Sequence, residues 1–241
     1  CWDPTHADRL ATASCDKTVR IWDTRASKCI ETINGTGANI NVTWSPDGQT
    51  VAFGNRDDVI SFLDIRKMKL LKSHKYSFEV NEICWNKSCD MFLLTTGNGT
   101  IEVLSYPTME NIQTLKAHTS NCFCIGFDPA EKYLASGGAD ALVSLWDMED
   151  LVCIQTFIRM DTPVRALDFS HDSTHLAFAA EDSPIEIVDV ATGASVHQIT
   201  VHSSADNIAW NPKHKVLAYT GEERDARSGT SPVSVYLFVP P

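Results

Sequence analysis

Six aromatic residues, Trp2, Trp44, Trp85, Phe127, Phe169 and Trp210, recur along the chain at spacings of 42, 41, 42, 42 and 41 residues. So constant a period constrains the fold strongly, because each unit must then be one supersecondary element stacked on the next. Each aromatic closes an apolar stretch and is followed by a turn, at Asp3–Pro4, Ser45–Gly48, Asn86–Lys87, Asp128–Pro129, Ser170–Asp172 and Asn211–Pro212. A second short apolar run then follows, at Arg9–Ala13, Thr50–Gly54, Met91–Thr95, Tyr133–Gly137, His175–Ala179 and Val216–Thr220. A turn bearing Asp or Asn comes next, at Asp16, Asp57, Asn98, Asp140 and Asp182. The third run alternates polar and apolar residues, as in Thr18–Trp22 and Leu142–Trp146. A fourth, more polar run closes the unit at Lys28–Ile33, Lys69–His74, Asn111–Lys116, Leu151–Phe157 and Ala194–Thr200. Four short strands separated by turn residues, with no helical period between them, predict an all-β chain of four-stranded antiparallel blades. Near-continuous apolar runs predict burial of both faces for the first two strands. The third and fourth are expected to be progressively more exposed.

Two third strands end in Trp22–Asp23 and Trp146–Asp147, and two more in the degenerate Leu63–Asp64 and Val188–Asp189. These motifs resemble the WD40 family, which implies a WD40 β-propeller, seven-bladed when intact, with about six blades represented here. The whole of residues 1–241 is expected to form one domain. The first unit begins inside its first strand at Cys1 and the last ends at Pro240 and Pro241 without a fourth strand. An open sheet edge is an aggregation hazard, so the N-terminal blade and the closing strand are expected upstream of Cys1. In WD40 blades a His, a Ser or Thr, an Asp and the Trp form a hydrogen-bonded relay. The resemblance carries that role to His118, Ser136, Asp140 and Trp146, and in part to Thr12, Asp16 and Trp22. A Ser-His-Asp set also invites a catalytic reading. A nucleophile must be exposed in a cleft beside its base, whereas this serine falls on an interior strand and this aspartate on a tight turn. A structural relay is the expected role.

Composition narrows the function classes. Twenty basic against 31 acidic side chains give a formal charge of -11, which opposes a domain devoted to gripping naked nucleic acid. No apolar run approaches the roughly 20 residues needed to span a bilayer, and no charged-then-apolar leader opens the chain. The chain starts at Cys1, not Met, and reads as a fragment. The cysteines, at 1, 15, 29, 84, 89, 122, 124 and 153, lie mostly in apolar segments and form no Cys-x-x-Cys pair. They are expected to be reduced, buried small hydrophobes, with no metal and no cofactor. No Gly-x-Ser-x-Gly motif is present. A propeller hydrolase, which needs carboxylates or histidines clustered inward, is disfavoured, and no catalytic residue is expected.

Further stretches are similar to the family of third subunits of the THO complex (the Tex1 family). They are Asp16–Asp23, Asn39–Thr50, Phe78–Trp85, Ser120–Cys122, Ala139–Asp147 and Asp161–Arg165. The third unit, with Thr96–Gly99 followed by Leu104–Pro107, is the least generic match. The resemblance implies a nuclear, non-enzymatic scaffold within the THO and transcription-export assembly. Such a subunit supports messenger-RNA processing, packaging and export through protein–protein contacts. Its expected partners are the other THO subunits and export factors, with RNA reached indirectly or weakly through the complex. No membrane or small-molecule substrate is expected. The rival of neighbouring class is a WD40 scaffold of a chromatin-associated assembly.

Propellers usually bind through loops leading into the first strand of each blade, which here fall near Asn39, Phe78, Asn121, Arg165 and Asp206. Exposed aromatic and Arg side chains there suit interface hot spots; the plainer reading is ordinary turn residues. Arg66, Lys67, Lys69, Lys72 and Lys75 place five cations within ten residues. They suit an acidic partner or an RNA backbone, or simply protect a sheet edge from pairing. The acidic Glu222, Glu223 and Asp225 read as a solvated loop or a docking element.

Overall fold

A computed structural model describes residues 1–201, 205–221 and 233–239, which places Glu222, Glu223 and Asp225 outside the described residues. All regular elements among the described residues are β-strands, and no helix is long and apolar enough to cross a membrane. The chain divides into two compact units, Cys1–Thr96 with Glu102–Thr114, and Gly97–Ile101 with Leu115–Pro241.

The first unit opens with a sheet of β1 (Arg9–Ala13), β2 (Thr18–Asp23) and β3 (Lys28–Asn34), to which Trp2 adds an isolated bridge at Leu10. A second sheet follows, of β4 (Asn39–Trp44), β5 (Thr50–Asn55), β6 (Val59–Asp64) and β7 (Lys69–Lys75). The third is β8 (Val80–Trp85), β9 (Met91–Thr96), β10 (Thr100–Ser105) and β11 (Asn111–Lys116). The second unit holds β12 (Cys122–Phe127), β13 (Tyr133–Gly138), β14 (Val143–Asp147) and β15 (Val152–Phe157). Next come β16 (Val164–Phe169), β17 (His175–Ala180), β18 (Ile185–Asp189) and β19 (Ser195–Ile199). A three-stranded sheet ends it, of β20 (Ala205–Trp210), β21 (Val216–Gly221) and β22 (Val233–Leu237). Consecutive strands are neighbours in every sheet.

The turns after the aromatic anchors share one device. Ser45 Oγ, Asn86 Oδ1, Asp128 Oδ1 and Ser170 Oγ each accept the backbone N–H five residues on, from Thr50, Met91, Tyr133 and His175. Four side chains of three chemistries, hydroxyl, amide and carboxylate, thus close the same loop, because each offers an oxygen at the same reach. The signature Asp also acts on a turn. Asp23 Oδ1 accepts from Arg25 and Ala26, Asp64 Oδ1 from Arg66 and Lys67, and Asp147 Oδ1 from Glu149 and Asp150.

Packing follows the strand period of two. In β17, Leu176, Phe178 and Ala180 join Val143, Leu145 and Phe157 of the preceding sheet, while Ala177 and Ala179 join Ile208, Trp210 and Leu217 of the next. A small residue on the second strand recurs opposite a large one on the third: Ala11↔Ile21, Ala52↔Phe62, Ala135↔Leu145, Ala177↔Ile187 and Ala218↔Val235. Alternating small and large partners lets successive sheets interdigitate without voids.

Burial differs from the sequence expectation in which strands it covers. The second and third strands are the buried ones: β5 is buried throughout, and β6, β10, β14 and β18 nearly so. First strands are less completely buried: β4 and β16 each expose one residue between buried neighbours, Ile40 and Arg165, and β20 exposes Asp206, Asn207 and Ala209. The polar residues that make third strands look amphipathic are satisfied internally. Ser61 bonds Ser73 at 2.8 Å, Thr114 donates to Glu102 at 2.5 Å and Gln198 donates to Glu186 at 2.7 Å. The cysteines divide likewise. Cys122 and Cys124 are buried, whereas Cys1, Cys15, Cys29 and Cys153 are exposed, the last two on the outer strands β3 and β15, where both faces meet solvent.

Candidate interaction site

The relay residues of the second unit meet. Trp146 Nε1 donates to Ser136 Oγ at 3.1 Å, Ser136 Oγ lies 3.0 Å from His118 Nε2, and His118 Nδ1 lies 2.9 Å from Asp140 Oδ1. One directional chain runs through these atoms: the indole N–H donates to the hydroxyl, and the imidazole bridges the hydroxyl and the carboxylate. Burial opposes ionisation of Asp140, but the Thr119 N–H, the His118 ring and the Leu142 N–H outweigh it and hold the carboxyl below its ordinary value. Ser136 is completely buried, so no reactant can approach its oxygen. The chain ties the segment before β12 to β13 and β14. The Gly99 carbonyl holds that segment from the other side, accepting the Ala117 and His118 N–H groups. Gly99 has φ of 79°, and a Cβ there would strike the carbonyl oxygens of His118 and Ser120.

The first unit carries a shorter version. Trp22 Nε1 donates to Thr12 Oγ1 at 2.9 Å. Asp16 does not join it; the Asp16 carboxylate accepts from Thr18 and pairs with Arg20. Ser136→Ala leaves both the Trp146 indole and His118 Nε2 unpartnered, and we expect a loss of about 2–4 kcal/mol in urea-unfolding stability. Thr12→Ala strands one donor at a partly solvated site, for about 1 kcal/mol. Equal losses would mean that the buried chain adds nothing beyond a single hydrogen bond.

Each described first strand after the first sheet is bulged near its start. Register slips between Asn39 and Asn41, Val80 and Ile83, Cys122 and Cys124, Val164 and Ala166, and Ala205 and Asn207. A bulge leaves a residue unpaired and re-aims its side chain. The single bulged residues are Ile40, Phe123, Arg165 and Asp206, and the wider bulge in β8 takes in Asn81 and Glu82. Ile40, Arg165 and Asp206 are exposed and Phe123 is half-buried. Two of the residues expected from sequence, Arg165 and Asp206, are therefore bulge residues. Asn39 is not exposed: only 2% accessible, it donates from Nδ2 to the Thr18 carbonyl. Phe78 is half-buried against Tyr76, with ring centroids 5.2 Å apart, and Asn121 is half-buried with its carbonyl accepting the Ala139 N–H. Ile40, Phe123 and Glu181 escaped the sequence reading. A usable signal existed, since Ile40, Phe123, Arg165 and Asp206 each lie four residues before the aromatic anchor.

Arg165 is held in a fixed pose. Its guanidinium lies 4.1 Å from the Phe123 ring centroid, and its Nε and Nη2 reach Glu181 Oε1 at 2.7 and 2.6 Å. A stacked, ion-paired arginine is pre-organised and loses little rotamer freedom when a partner arrives.

The five cations of the second sheet do not act alike. Lys72 is withdrawn: its ammonium donates to the Pro107 carbonyl and sits 5.1 and 5.0 Å from the Phe62 and Tyr106 ring centroids. Desolvation there lowers its pKa. Lys67 lies 3.9 Å from Asp64, and Arg66, Lys69 and Lys75 are exposed. Among the described residues, no group of three or more His, Cys, Asp or Glu side chains is placed to hold a metal ion.

Comparison with known proteins agrees with this architecture. A family model described as the THOC3 beta-propeller domain matches residues 1–220. THO complex subunit 3 of Arabidopsis thaliana is 49% identical over 230 residues, which cover 95% of this chain and 73% of that protein. The WD repeat-containing protein AAC3 of Dictyostelium discoideum is 37% identical over 227 residues, covering 92% of this chain and 47% of that protein. A chain in the crystal structure of a mitotic checkpoint complex superposes with a TM-score of 0.86 over 99% of this chain and 75% of its own, at 21% identity, a likeness of fold alone. The chain thus belongs to the THOC3 β-propeller family of WD40 proteins.

Proposed function

We propose that the chain is a non-enzymatic scaffold subunit of a nuclear THO-type assembly. It supports messenger-RNA packaging and export through protein–protein contacts, with RNA reached through the other subunits. The observation that carries this reading is the family match, together with the 49% identity to a THO complex subunit over most of the chain. The side-chain chemistry is compatible with it. The Ser-His-Asp set that would suggest catalysis is consumed by internal hydrogen bonds. The exposed bulge residues are Ile40, Arg165 and Asp206, with the half-buried Phe123 ring against the Arg165 guanidinium, and arginine and aromatic side chains are types enriched at interface hot spots. Phe78 and Asn121 are retained as secondary contacts.

The test is affinity capture of the intact protein from nuclear extract, with and without nuclease. Recovery of other THO subunits after RNA is destroyed is the expected result. An Arg165→Glu variant, which reverses the charge, shortens the side chain and removes the pairing with Glu181, should lower that recovery by about tenfold or more. Recovery of a chromatin assembly in place of THO, or loss of every partner with the RNA, overturns the reading.

A further inference from the structure

We propose that the outer edge of the second sheet, β7 with the turn before it, is a docking strip for an acidic segment of a protein partner that carries apolar side chains. The inference is independent of membership in a THO-type assembly and rests on the surface of this sheet alone.

Two properties coincide on β7 and on no other described outer strand. The first is charge. In a chain of net charge -11, a quarter of the 20 basic residues lie between Arg66 and Lys75. The outer strands β3 and β11 carry one lysine each, and β15 and β19 carry none, whereas β7 carries Lys69, Lys72 and Lys75. The second is exposed apolar surface inside the cationic run. Leu70 is 43% and Leu71 50% accessible, flanked by Lys69 on one side and by Lys75 further along the strand. Exposed leucine beside lysine is the complement of a segment that alternates carboxylates with apolar side chains.

The partner's class follows from what the cations do. A nucleic-acid backbone is gripped by a series of available cations and gains nothing from leucine. Here Lys72 is turned inward onto Pro107, Phe62 and Tyr106, whereas Arg66, Lys67, Lys69 and Lys75 are exposed cations around the two leucines, Lys67 with its ammonium 3.9 Å from Asp64. The register also shifts at this point, since Phe62 pairs with Lys72 and Leu63 with Leu70, so Leu71 is bulged out of the ladder. A bulge interrupts an edge and opposes simple addition of another strand. The partner segment therefore binds through its side chains, and its leucine-like groups meet Leu70 and Leu71 while its carboxylates meet Arg66, Lys69 and Lys75.

The test uses fluorescence anisotropy with three labelled probes. They are a peptide of about 15 residues that mixes Asp and Glu with three leucines, the same peptide with serine at the leucine positions, and a single-stranded oligouridine of similar length. The leucine peptide should bind the unaltered chain, with affinity falling as salt rises. Binding should weaken by about tenfold for the serine peptide and for each of two surface variants, Leu70→Ser with Leu71→Ser, and Lys69→Glu with Lys75→Glu. Circular dichroism melts confirm that both variants stay folded, and the serine peptide tests the apolar half without altering the protein. Lys72 is left untouched because its ammonium is part of the packing. The proposal fails if the leucine peptide does not bind at low salt, or if leucine and serine peptides bind alike. It also fails if oligouridine binds more tightly than the leucine peptide.

Discussion

Phe62→Ala should lower the unfolding free energy by about 3–5 kcal/mol, a large part of the roughly 5–15 kcal/mol that holds an ordinary domain together. Phe62 is fully buried on β6 and meets Trp85 and Phe92 edge-on, with ring centroids 5.9 and 5.2 Å away, while Tyr106 lies tilted at 5.5 Å. Trp85 is itself packed on Phe92 at 4.8 Å and on Tyr106 at 4.6 Å, so removing Phe62 opens a cavity against rings that support one another. The same ring faces the Lys72 ammonium, and that contact is lost as well. Phe62→Leu fills most of the space and should cost less than half as much. Urea unfolding of both variants checks the size of the effect. A loss below about 1 kcal/mol for the alanine would mean that the surrounding rings collapse into the gap.

The blades were legible because their signal is periodic and chemically specific. Aromatic anchors at a 41- to 42-residue spacing, and turns bearing Asp, Asn or Ser, fix where strands end, and the strands lie where those marks put them. The relay was legible for a related reason. His118, Ser136, Asp140 and Trp146 occupy fixed offsets in the repeat, and the antiparallel register that sets Ser136 beside the Trp146 indole follows from the turn between β13 and β14.

Side-chain direction was less legible. Glu102, Ser144 and Glu186 look solvent-facing on third strands because a polar residue alternates with apolar ones. They are in fact buried, and Thr114 and Gln198 on the fourth strand supply hydrogen bonds to the two glutamates that composition cannot reveal. Asn39 reads as an exposed lead-in residue because it opens a first strand, and proves to be a buried donor. The interaction residues depend on bulges. A bulge is set by hydrogen-bond register, and no residue type marks it: Ile40, Phe123, Arg165 and Asp206 share a position and no chemistry. The basic run was visible as a count of charges. That Lys72 is spent on Tyr106 and Pro107 depends on the turn after β10, more than thirty residues further along the chain.

Glu82→Gln should stabilise the protein above neutral pH by about 3 kcal/mol and have little effect near pH 4.5. Glu82 sits in the wide bulge of β8, where burial pushes its carboxyl from 4.5 up to about 7, opposed only by the Ile83 N–H donated to Oε1. The sign follows from linkage. Because the folded-state pKa is raised, the folded state holds its proton more tightly than the unfolded chain does, so this group's contribution is fully present below pH 4.5. It is lost as pH rises through about 7. Glutamine keeps the acceptor for the Ile83 N–H and cannot ionise, so the variant should lack that loss. Other groups titrate differently. Asp140, Asp172 and Asp189 have lowered pKa values and lose their contribution only below their ordinary value of 3.8. His175, lowered by burial and by Lys215, disfavours folding as it protonates below 6.5. Asp168 is the nearest competitor, raised to about 6 by burial, but it accepts the Trp210 and Phe169 N–H groups, and an asparagine there would forfeit one of them. Comparing the variant with the parent at each pH cancels every group except Glu82. Urea unfolding at pH 5, 6, 7 and 8 should therefore give a difference that grows from near zero to a few kcal/mol. A difference that stays flat across that range would place Glu82 in contact with water and remove the penalty assigned to its burial.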